Sequence, residues 1–205
     1  MNASVPRSGF TRFLESVNGD GRHGLALAAV VLLLVAPQFG GEAGRALLRY
    51  DRTGLAAGQW WRLITAHIVH LDAWHVALNS IGAALMWALF ARDYAPRQWL
   101  AILVTAGVAI DAGFWFLDPG LEWYVGASGV LHGALAAGTL AHLRRHEPDG
   151  WVLLVFIAGK LAWEQFHGPL PLSAPGDTVI VDAHLFGALG GLVVALALRP
   201  RSEPL

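Results

Sequence analysis

The chain has 205 residues, a formal net charge of −1 at pH 7 and no cysteine. Hydrophobic residues make up 55% of it, charged residues only 14%, and the mean hydropathy is +0.49. Soluble domains carry about 25% charged residues. These values indicate one integral membrane domain, provide no case for a nucleic-acid partner, and exclude disulfide bonds and thiolate metal sites.

Six apolar segments are predicted to be membrane-spanning helices. A polar tail over residues 1–22 comes first, and the membrane domain covers residues 23–199 before a second tail over residues 200–205. The six segments lie at about 24–39, 71–91, 99–117, 128–143, 151–166 and 181–198. The first is somewhat short for the roughly 20 residues of a spanning helix. A cleaved signal peptide is the alternative for it, but Pro37 and the lack of a small-x-small site argue against that.

Most arginines lie on one side of this predicted topology. Those in the two tails, the second-to-third loop and the fourth-to-fifth loop are Arg7, Arg12, Arg22, Arg92, Arg97, Arg144, Arg145, Arg199 and Arg201. Those on the opposite side are Arg45, Arg49, Arg52 and Arg62. Because arginine and lysine favour cytoplasmic loops, both termini are expected to be cytoplasmic. The predicted fold is an all-α membrane protein with six transmembrane helices.

Polar residues recur in the first turns of the second, fourth and sixth segments, which run from outside to inside in this topology. These residues are His70, His75, Asn79, Ser128, His132, Asp182 and His184. At 1.5 Å per residue they sit within about 10 Å of the outer ends of their helices, and therefore at similar depth. Unpaired polar groups are rare inside a bilayer, so this layer is a candidate functional site.

Ser128 stands between Gly126 and Gly129, where a polar stretch gives way to an apolar one. A helix that begins here directs its free N–H groups and its positive dipole end toward the serine. That arrangement suits a serine whose attack on a carbonyl creates an oxyanion. The alternative is that Ser128 only caps a helix in a glycine-rich bundle.

Glycines four residues apart form a ridge on each of two segments, which allows helices to approach closely. The ridges are Gly129 with Gly133, and Gly187 with Gly191. If they face one another, Ser128 and His184 come within hydrogen-bond range, and His184 can take the serine proton. His75 and Asn79 share a face of the second segment and can donate hydrogen bonds to the oxyanion, alongside the Ser128 N–H.

Four short motifs, in sequence order, resemble those of the rhomboid intramembrane serine proteases. They are Trp61-Arg62, His70-x4-His75-x3-Asn79, Gly126-x-Ser128-Gly129 and Ala183-His184. The resemblance covers about residues 60–195 and implies a six-helix rhomboid bundle with a Ser128/His184 dyad. It also implies that His75 and Asn79 serve the oxyanion.

The same resemblance assigns supporting roles. Arg62 and His70 are expected to brace the first loop. Many rhomboids have a tyrosine four residues after the nucleophile, where it packs on the catalytic histidine. Here His132 occupies that place and can stack on His184 instead.

Three further stretches look like the rhombosortase branch of this family. They are Ser128 to Gly133, Lys160-x2-Trp163-Glu164-Gln165, and Val181 to His184. Membership would imply a multi-pass protein of the bacterial inner membrane whose active site opens toward the periplasm. Its partners, besides the lipid bilayer, would be exported proteins with a C-terminal Gly-Gly, transmembrane and basic tail. A broader rhomboid protease is the alternative, as is a non-catalytic protein that binds transmembrane segments, although such proteins lose the serine or histidine that is present here.

Lys160 and Glu164 lie four residues apart in the fifth segment and can pair on one face. The pair either holds the bundle together or, with Trp163, lines a gate through which a substrate tail enters. Asp182 either caps the sixth helix or orients His184; a spacing of two residues on a helix favours the cap.

No metal ion or other cofactor is expected. His67, His70 and His75 are close in sequence, but there is no His-Glu-x-x-His motif, and zinc needs three or four converging ligands. Asp111, in the outer half of the third segment, has no predicted partner.

Overall fold

The computed structural model describes residues 21–170 and 179–201, and over these ranges the chain is mostly helical. The predicted tails therefore lie almost wholly outside the described residues. The elements are α1 (Gly21–Val35), a 3-10 helix (Ala36–Gly40), α2 (Gly41–Leu48), β1 (Tyr50–Asp51), α3 (Arg52–Ala56), α4 (Arg62–Thr65), α5 (Ala73–Phe90), α6 (Pro96–Phe116), β2 (Trp123–Tyr124), α7 (Ser128–Arg144), α8 (Pro148–His167) and α9 (Asp182–Ala197).

Long helices occur at each of the six predicted positions. Within the described residues, three stretches are long and apolar enough to cross a membrane: Gly24–Leu48, Ala73–Phe90 and Pro96–Phe116. The last helix, Asp182–Ala197, is apolar but shorter. Repeated apolar helices of this length make the chain a multi-pass membrane protein.

The first apolar segment differs from its prediction. It was expected to end at Phe39 and to be followed by a polar connection, but the helical path continues through α2 to Leu48. Pro37 stands at the start of the 3-10 helix, where a missing N–H costs no hydrogen bond. The chain therefore takes the tighter 3-10 turn at this point and remains helical.

α7 is the central helix of the bundle and packs against α5, α6, α8 and α9. Ten of its 17 residues are buried, and most of these are glycine or alanine. A helix buried on all sides has to be lined by small residues if its neighbours are to approach on every face. α7 thus holds Ser128, its first residue, at a fixed point in the fold.

The two glycine ridges face each other across the contact between α7 and α9. A Cβ atom on Gly129 would lie 2.7 Å from the Ala183 carbonyl oxygen, and one on Gly133 would lie 2.8 Å from the Gly187 carbonyl oxygen. A Cβ on Gly191 would in turn collide with Gly133. The helices therefore meet backbone to backbone, at a distance that no larger residue permits.

A short β-sheet joins the connection between α1 and α5 to the segment that leads into α7. β1 pairs antiparallel with β2, with Tyr50 opposite Tyr124. Asp51 caps α3 by accepting a hydrogen bond from the Gly54 N–H at 2.8 Å, and this bond is the main reason that the pKa of its carboxyl is lowered. The backbone before Ser128 is thus fixed by the first loop.

Arg62 is the main side-chain tie within that loop. It is buried, and its guanidinium donates to the carbonyls of Ala46 at 2.9 Å and Arg49 at 2.8 Å, and to the Gln59 side chain at 2.7 Å. Three acceptors on one arginine hold α2 against α4.

An ion-pair network lies at the end of α7 remote from Ser128. Arg145 bonds the buried Asp93 at 2.8 Å and Glu147 at 2.7 Å. Its hydrogen bond is the main reason that the pKa of the Glu147 carboxyl lies below its ordinary value. His142 lies between the two loops, with one ring nitrogen 3.2 Å from Asp93 and the other 2.9 Å from Asp149. The network ties the α5–α6 connection to the α7–α8 connection.

Candidate active site

The structure brings Ser128 and His184 into direct contact. The Ser128 Oγ and His184 Nε2 atoms are 2.9 Å apart, although 56 residues separate them in the chain. Ser128 is the first residue of α7, so its N–H is among those that the helix leaves free, while His184 lies in the first turn of α9 and is buried. The packing of Gly129 against the Ala183 carbonyl brings these two helix ends together.

The second ring nitrogen of His184 meets Glu164. The Nδ1 atom lies 2.8 Å from Glu164 Oε2, and the other carboxylate oxygen pairs with Lys160. The predicted pair of Lys160 and Glu164 is therefore present, but it does not stand apart from the dyad. Ser128, His184, Glu164 and Lys160 form one continuous chain of polar contacts.

The predicted gate of Lys160, Trp163 and Glu164 is divided in the structure. Glu164 is 1% exposed and sits beneath His184, so it does not line an opening. Trp163 is 49% exposed and stacks on His167, with ring centroids 4.2 Å apart. Only Trp163 of the three presents a large surface to the outside of the protein.

His132 packs on the face of the His184 ring. Their centroids are 4.1 Å apart and their planes differ by 17°. The His132 Nδ1 lies 2.7 Å from the Ser128 carbonyl oxygen, and since a carbonyl only accepts, this nitrogen carries the proton and donates. His132 therefore restricts the ring of His184 and the backbone of Ser128.

His75 and Asn79 lie on the face of α5 that approaches the segment before Ser128. The His75 ring packs against Gly126, where a Cβ atom would stand 3.0 Å from it and where φ is +130°, so only glycine fits easily. The Leu71 N–H lies 3.4 Å from His75 Nδ1 and donates to it, leaving Nε2 as the proton-bearing nitrogen. Asn79 is buried and donates to the His75 carbonyl at 2.9 Å.

His70 supports His75 from behind. It is 1% exposed, and the two rings meet edge to face with centroids 5.1 Å apart. Burial, with a smaller effect of His75, lowers the pKa of His70 to about 3. His70 is accordingly neutral at ordinary pH and acts as a packing element of the first loop.

The three histidines considered as metal ligands do not form one cluster. His67 lies 3.5 Å from Asp111, which supplies the partner that the sequence did not reveal, while His70 packs on His75. Within the described ranges, two other groups have ligand atoms within 4.8 Å of one another: His132 with Glu164 and His184, and His142 with Glu147 and Asp149. In the first of these groups, His184 already contacts both Ser128 and Glu164.

Asp182 is the first residue of α9, and Val181 holds the cap position without a side-chain hydrogen bond. The favoured prediction that Asp182 caps the helix is therefore wrong. Its placement inside the helix follows from the turn ahead of it, where the Ala183 N–H already bonds the Ile180 carbonyl.

The position of Glu164 opposite His184 was missed in the sequence, although a signal was present. The predicted fifth segment runs from inside to outside, so its last turn reaches the same depth as the first turns of the other polar segments. The predicted polar layer includes only residues of the second, fourth and sixth segments. A carboxylate in an apolar helix needs a partner, and at that depth His184 was the nearest candidate.

Comparison with known proteins decides the family. The family model for the "Rhomboid domain" matches residues 57–201 of the chain. This is more than half of the chain and includes Ser128 and His184. The chain belongs to the rhomboid family. Relatives of the chain in this family are named as rhomboid proteases.

Two curated relatives come from Bacillus subtilis (strain 168). The chain is similar to "Putative rhomboid protease YdcA", with 27% identity over 180 residues that cover 87% of this chain and 88% of the relative. It is also similar to "Rhomboid protease GluP", with 26% identity over 148 residues, or 70% of this chain. The latter match spans only 27% of GluP, which is a much longer protein.

Proposed function

We propose that this rhomboid is an active intramembrane serine protease with Ser128 as nucleophile and His184 as general base. The observation that carries the proposal is the 2.9 Å contact between Ser128 Oγ and His184 Nε2 inside a membrane domain of the rhomboid family. A serine becomes nucleophilic at neutral pH when an adjacent base takes its proton. A non-catalytic rhomboid-like protein would have no need of this pair.

The proposed reaction is acyl transfer to Ser128. As the Oγ atom attacks a substrate carbonyl, Nε2 of His184 takes the hydroxyl proton and later gives it to the leaving amine. In the second half of the reaction, His184 takes a proton from a water molecule as that water attacks the acyl carbonyl. His184 then gives the proton back to Ser128 Oγ as the acyl–oxygen bond breaks. In this proposal the Ser128 N–H and the proton-bearing Nε2 of His75 donate to the oxyanion. Asn79 uses one amide hydrogen on the His75 carbonyl and retains a second.

The proposed topology has six membrane spans with both termini in the cytoplasm of a bacterial cell. The six long helices fit six crossings, and the arginine distribution supports this orientation. Residues 23–199 would then form the membrane domain between two short cytoplasmic tails. The active site would open near the periplasmic face of the inner membrane.

The proposed substrates are exported proteins with a C-terminal Gly-Gly region, a transmembrane segment and a basic end. The support is the resemblance of the Ser128, Lys160 and His184 stretches to rhombosortases. Membrane proteins are the general substrate class for a protease embedded in the bilayer. A broader rhomboid specificity is the alternative, since both curated relatives are named as rhomboid proteases without that restriction.

The test is coexpression of an exported reporter bearing such a tail with the wild-type protein, Ser128→Ala or His184→Ala at matched levels. We expect release of the reporter by the wild type and a loss of at least about 10³-fold in either variant, because each removes a partner of the acyl-transfer step. Release by Ser128→Ala would overturn the assignment of the nucleophile. Cleavage of only a generic transmembrane substrate would retain the protease and overturn the Gly-Gly specificity.

A further inference from the structure

We infer that Glu164 is a positioning residue of this protease, a buried carboxylate that holds His184 in the one tautomer able to accept the serine proton. The inference rests on the proposed function and deepens it, since a Ser-His dyad is extended to a third residue on another helix. Glu164 lies on α8, whereas Ser128 begins α7 and His184 lies in α9.

The two ring contacts of His184 determine which tautomer serves the reaction. To accept the proton of the Ser128 hydroxyl, Nε2 has to present a lone pair, so the ring proton has to be on Nδ1. Nδ1 lies 2.8 Å from Glu164 Oε2, and a carboxylate accepts there but cannot donate. The Glu164 contact therefore stabilises the catalytically useful tautomer over the other one.

Lys160 explains how Glu164 stays charged. The Glu164 side chain is fully buried, and an isolated carboxylate in that position would take up a proton. Lys160 pairs with the second oxygen, and its own side chain is 16% exposed, so it keeps some contact with polar surroundings. Before the reaction, the positive charge of Lys160 balances the negative charge of Glu164. When His184 becomes an imidazolium ion, the Glu164 carboxylate faces a new positive charge.

The other residues around His184 do not offer this contact. Asp182 is two residues ahead on the same helix and lies roughly 200° around it, since each residue turns the helix by about 100°. His132 meets the face of the ring and uses its own Nδ1 on the Ser128 carbonyl. Within the described residues, His184 Nδ1 forms its hydrogen bond with Glu164.

The proton balance of the step leaves Glu164 unchanged. The serine proton moves to Nε2 as the Oγ–carbon bond forms and the carbonyl electron pair moves to oxygen. It leaves Nε2 for the amine nitrogen as the carbon–nitrogen bond breaks. The proton on Nδ1 stays on the ring throughout, and Glu164 stabilises the transient imidazolium without accepting a proton.

The test compares Glu164→Gln, Glu164→Asp and the reverse change on the neighbouring exposed residue, Gln165→Glu. Each is produced as the full chain, and kcat, KM and the thermal unfolding midpoint are measured with a cleavable substrate. We expect Glu164→Gln to lower kcat by about 10²–10⁴-fold with KM changed less than about threefold, because the lost interaction matters in the transition state. Glu164→Asp keeps the charge and should retain more activity than Glu164→Gln. Gln165→Glu should match the wild type.

A spectroscopic readout separates positioning from a structural role. A histidine Nδ1 proton held by a carboxylate gives a low-field proton NMR signal, which we expect in the wild type and in Ser128→Ala but not in Glu164→Gln or His184→Ala. Absence of the signal in the wild type would overturn the inference. So would an unchanged kcat in Glu164→Gln, or a loss of activity that follows the unfolding midpoint in all variants.

The same experiment distinguishes failure of the inference from failure of the proposed function. If Ser128→Ala remains active, the proposed protease mechanism fails and the Glu164 signal only describes a structural contact. If Ser128→Ala is inactive and Glu164→Gln is fully active, the protease stands and the positioning role of Glu164 fails.

Discussion

At the scale of single residues, His132 shows how one ring can serve two neighbours. It stacks on His184 and donates to the carbonyl of Ser128, so it links the two residues by a route separate from their own hydrogen bond. Stacked aromatic pairs contribute about 0.5–1.5 kcal/mol beyond the area they bury. His132 therefore limits rotation of the His184 ring out of its present plane.

This arrangement predicts different results for two substitutions of His132. His132→Phe keeps a flat ring on His184 and should lower kcat/KM by no more than about tenfold. His132→Ala removes the ring and should lower it by about 10–100-fold, because His184 gains freedom. Steady-state cleavage by purified protein measures both. Equal activity in the two variants would show that stacking has no part in positioning the base.

At the scale of elements, the contact between α7 and α9 depends on the absence of side chains. The Cβ positions of Gly129 and Gly133 are filled by carbonyl oxygen atoms of α9, and backbone cannot move aside as a flexible side chain can. Overpacking of a well-packed interior typically costs about 1–3 kcal/mol. At this contact the same displacement would also separate Ser128 from His184.

Gly187→Ala is the direct test of that packing. The new methyl group would collide with the Gly129 backbone, so we expect a loss of about 1–3 kcal/mol in stability and a larger fractional loss of activity. Gly159→Ala is the matched control, because that glycine lies inside α8 with open space around its Cβ position. The control should be neutral or gain up to about 1 kcal/mol from helix propensity. Thermal unfolding in detergent measures both, and identical shifts would refute the close-packing account.

The limits of sequence reasoning are clearest at the element scale. Ser128, His184 and the glycine ridges follow from helical spacing, since residues four apart share a face regardless of the rest of the fold. The contact of Glu164 with His184 depends on how α8 is turned against α9, which spacing within one helix does not determine. Helices α2 and α3 were missed for a related reason. They are short, and their backbone is held by side chains outside them: Arg62 donates to the Ala46 carbonyl in α2, and Asp51 accepts from the Gly54 N–H in α3.

At the scale of the whole molecule, polar contacts hold both ends of the central helix. Ser128 marks one end, and the network of Asp93, Arg145 and Glu147 marks the other. Asp93 is 6% exposed, and its carboxylate oxygens contact Arg145 and His142. The network joins two connections of the bundle at a distance from the candidate site.

Arg145→Gln should therefore destabilise the fold without altering the chemistry of the site. We expect a loss of about 3 kcal/mol, because removal of one partner leaves a buried carboxylate poorly compensated. Arg97→Gln is the control, since Arg97 is exposed near the same end of the molecule, and it should cost less than about 1 kcal/mol. Unfolding midpoints and kcat at a temperature where both variants are folded provide the comparison. A change in kcat as large as that of Glu164→Gln would contradict the separation of the two ends.

The hydrogen bond between Glu164 and His184 joins two separate helices, α8 and α9. Under the proposed mechanism, a movement of α8 away from α9 would lengthen the Nδ1 contact and leave His184 poorly oriented as the base of Ser128. The nucleophilicity of Ser128 would then depend on how closely α8 packs against α9.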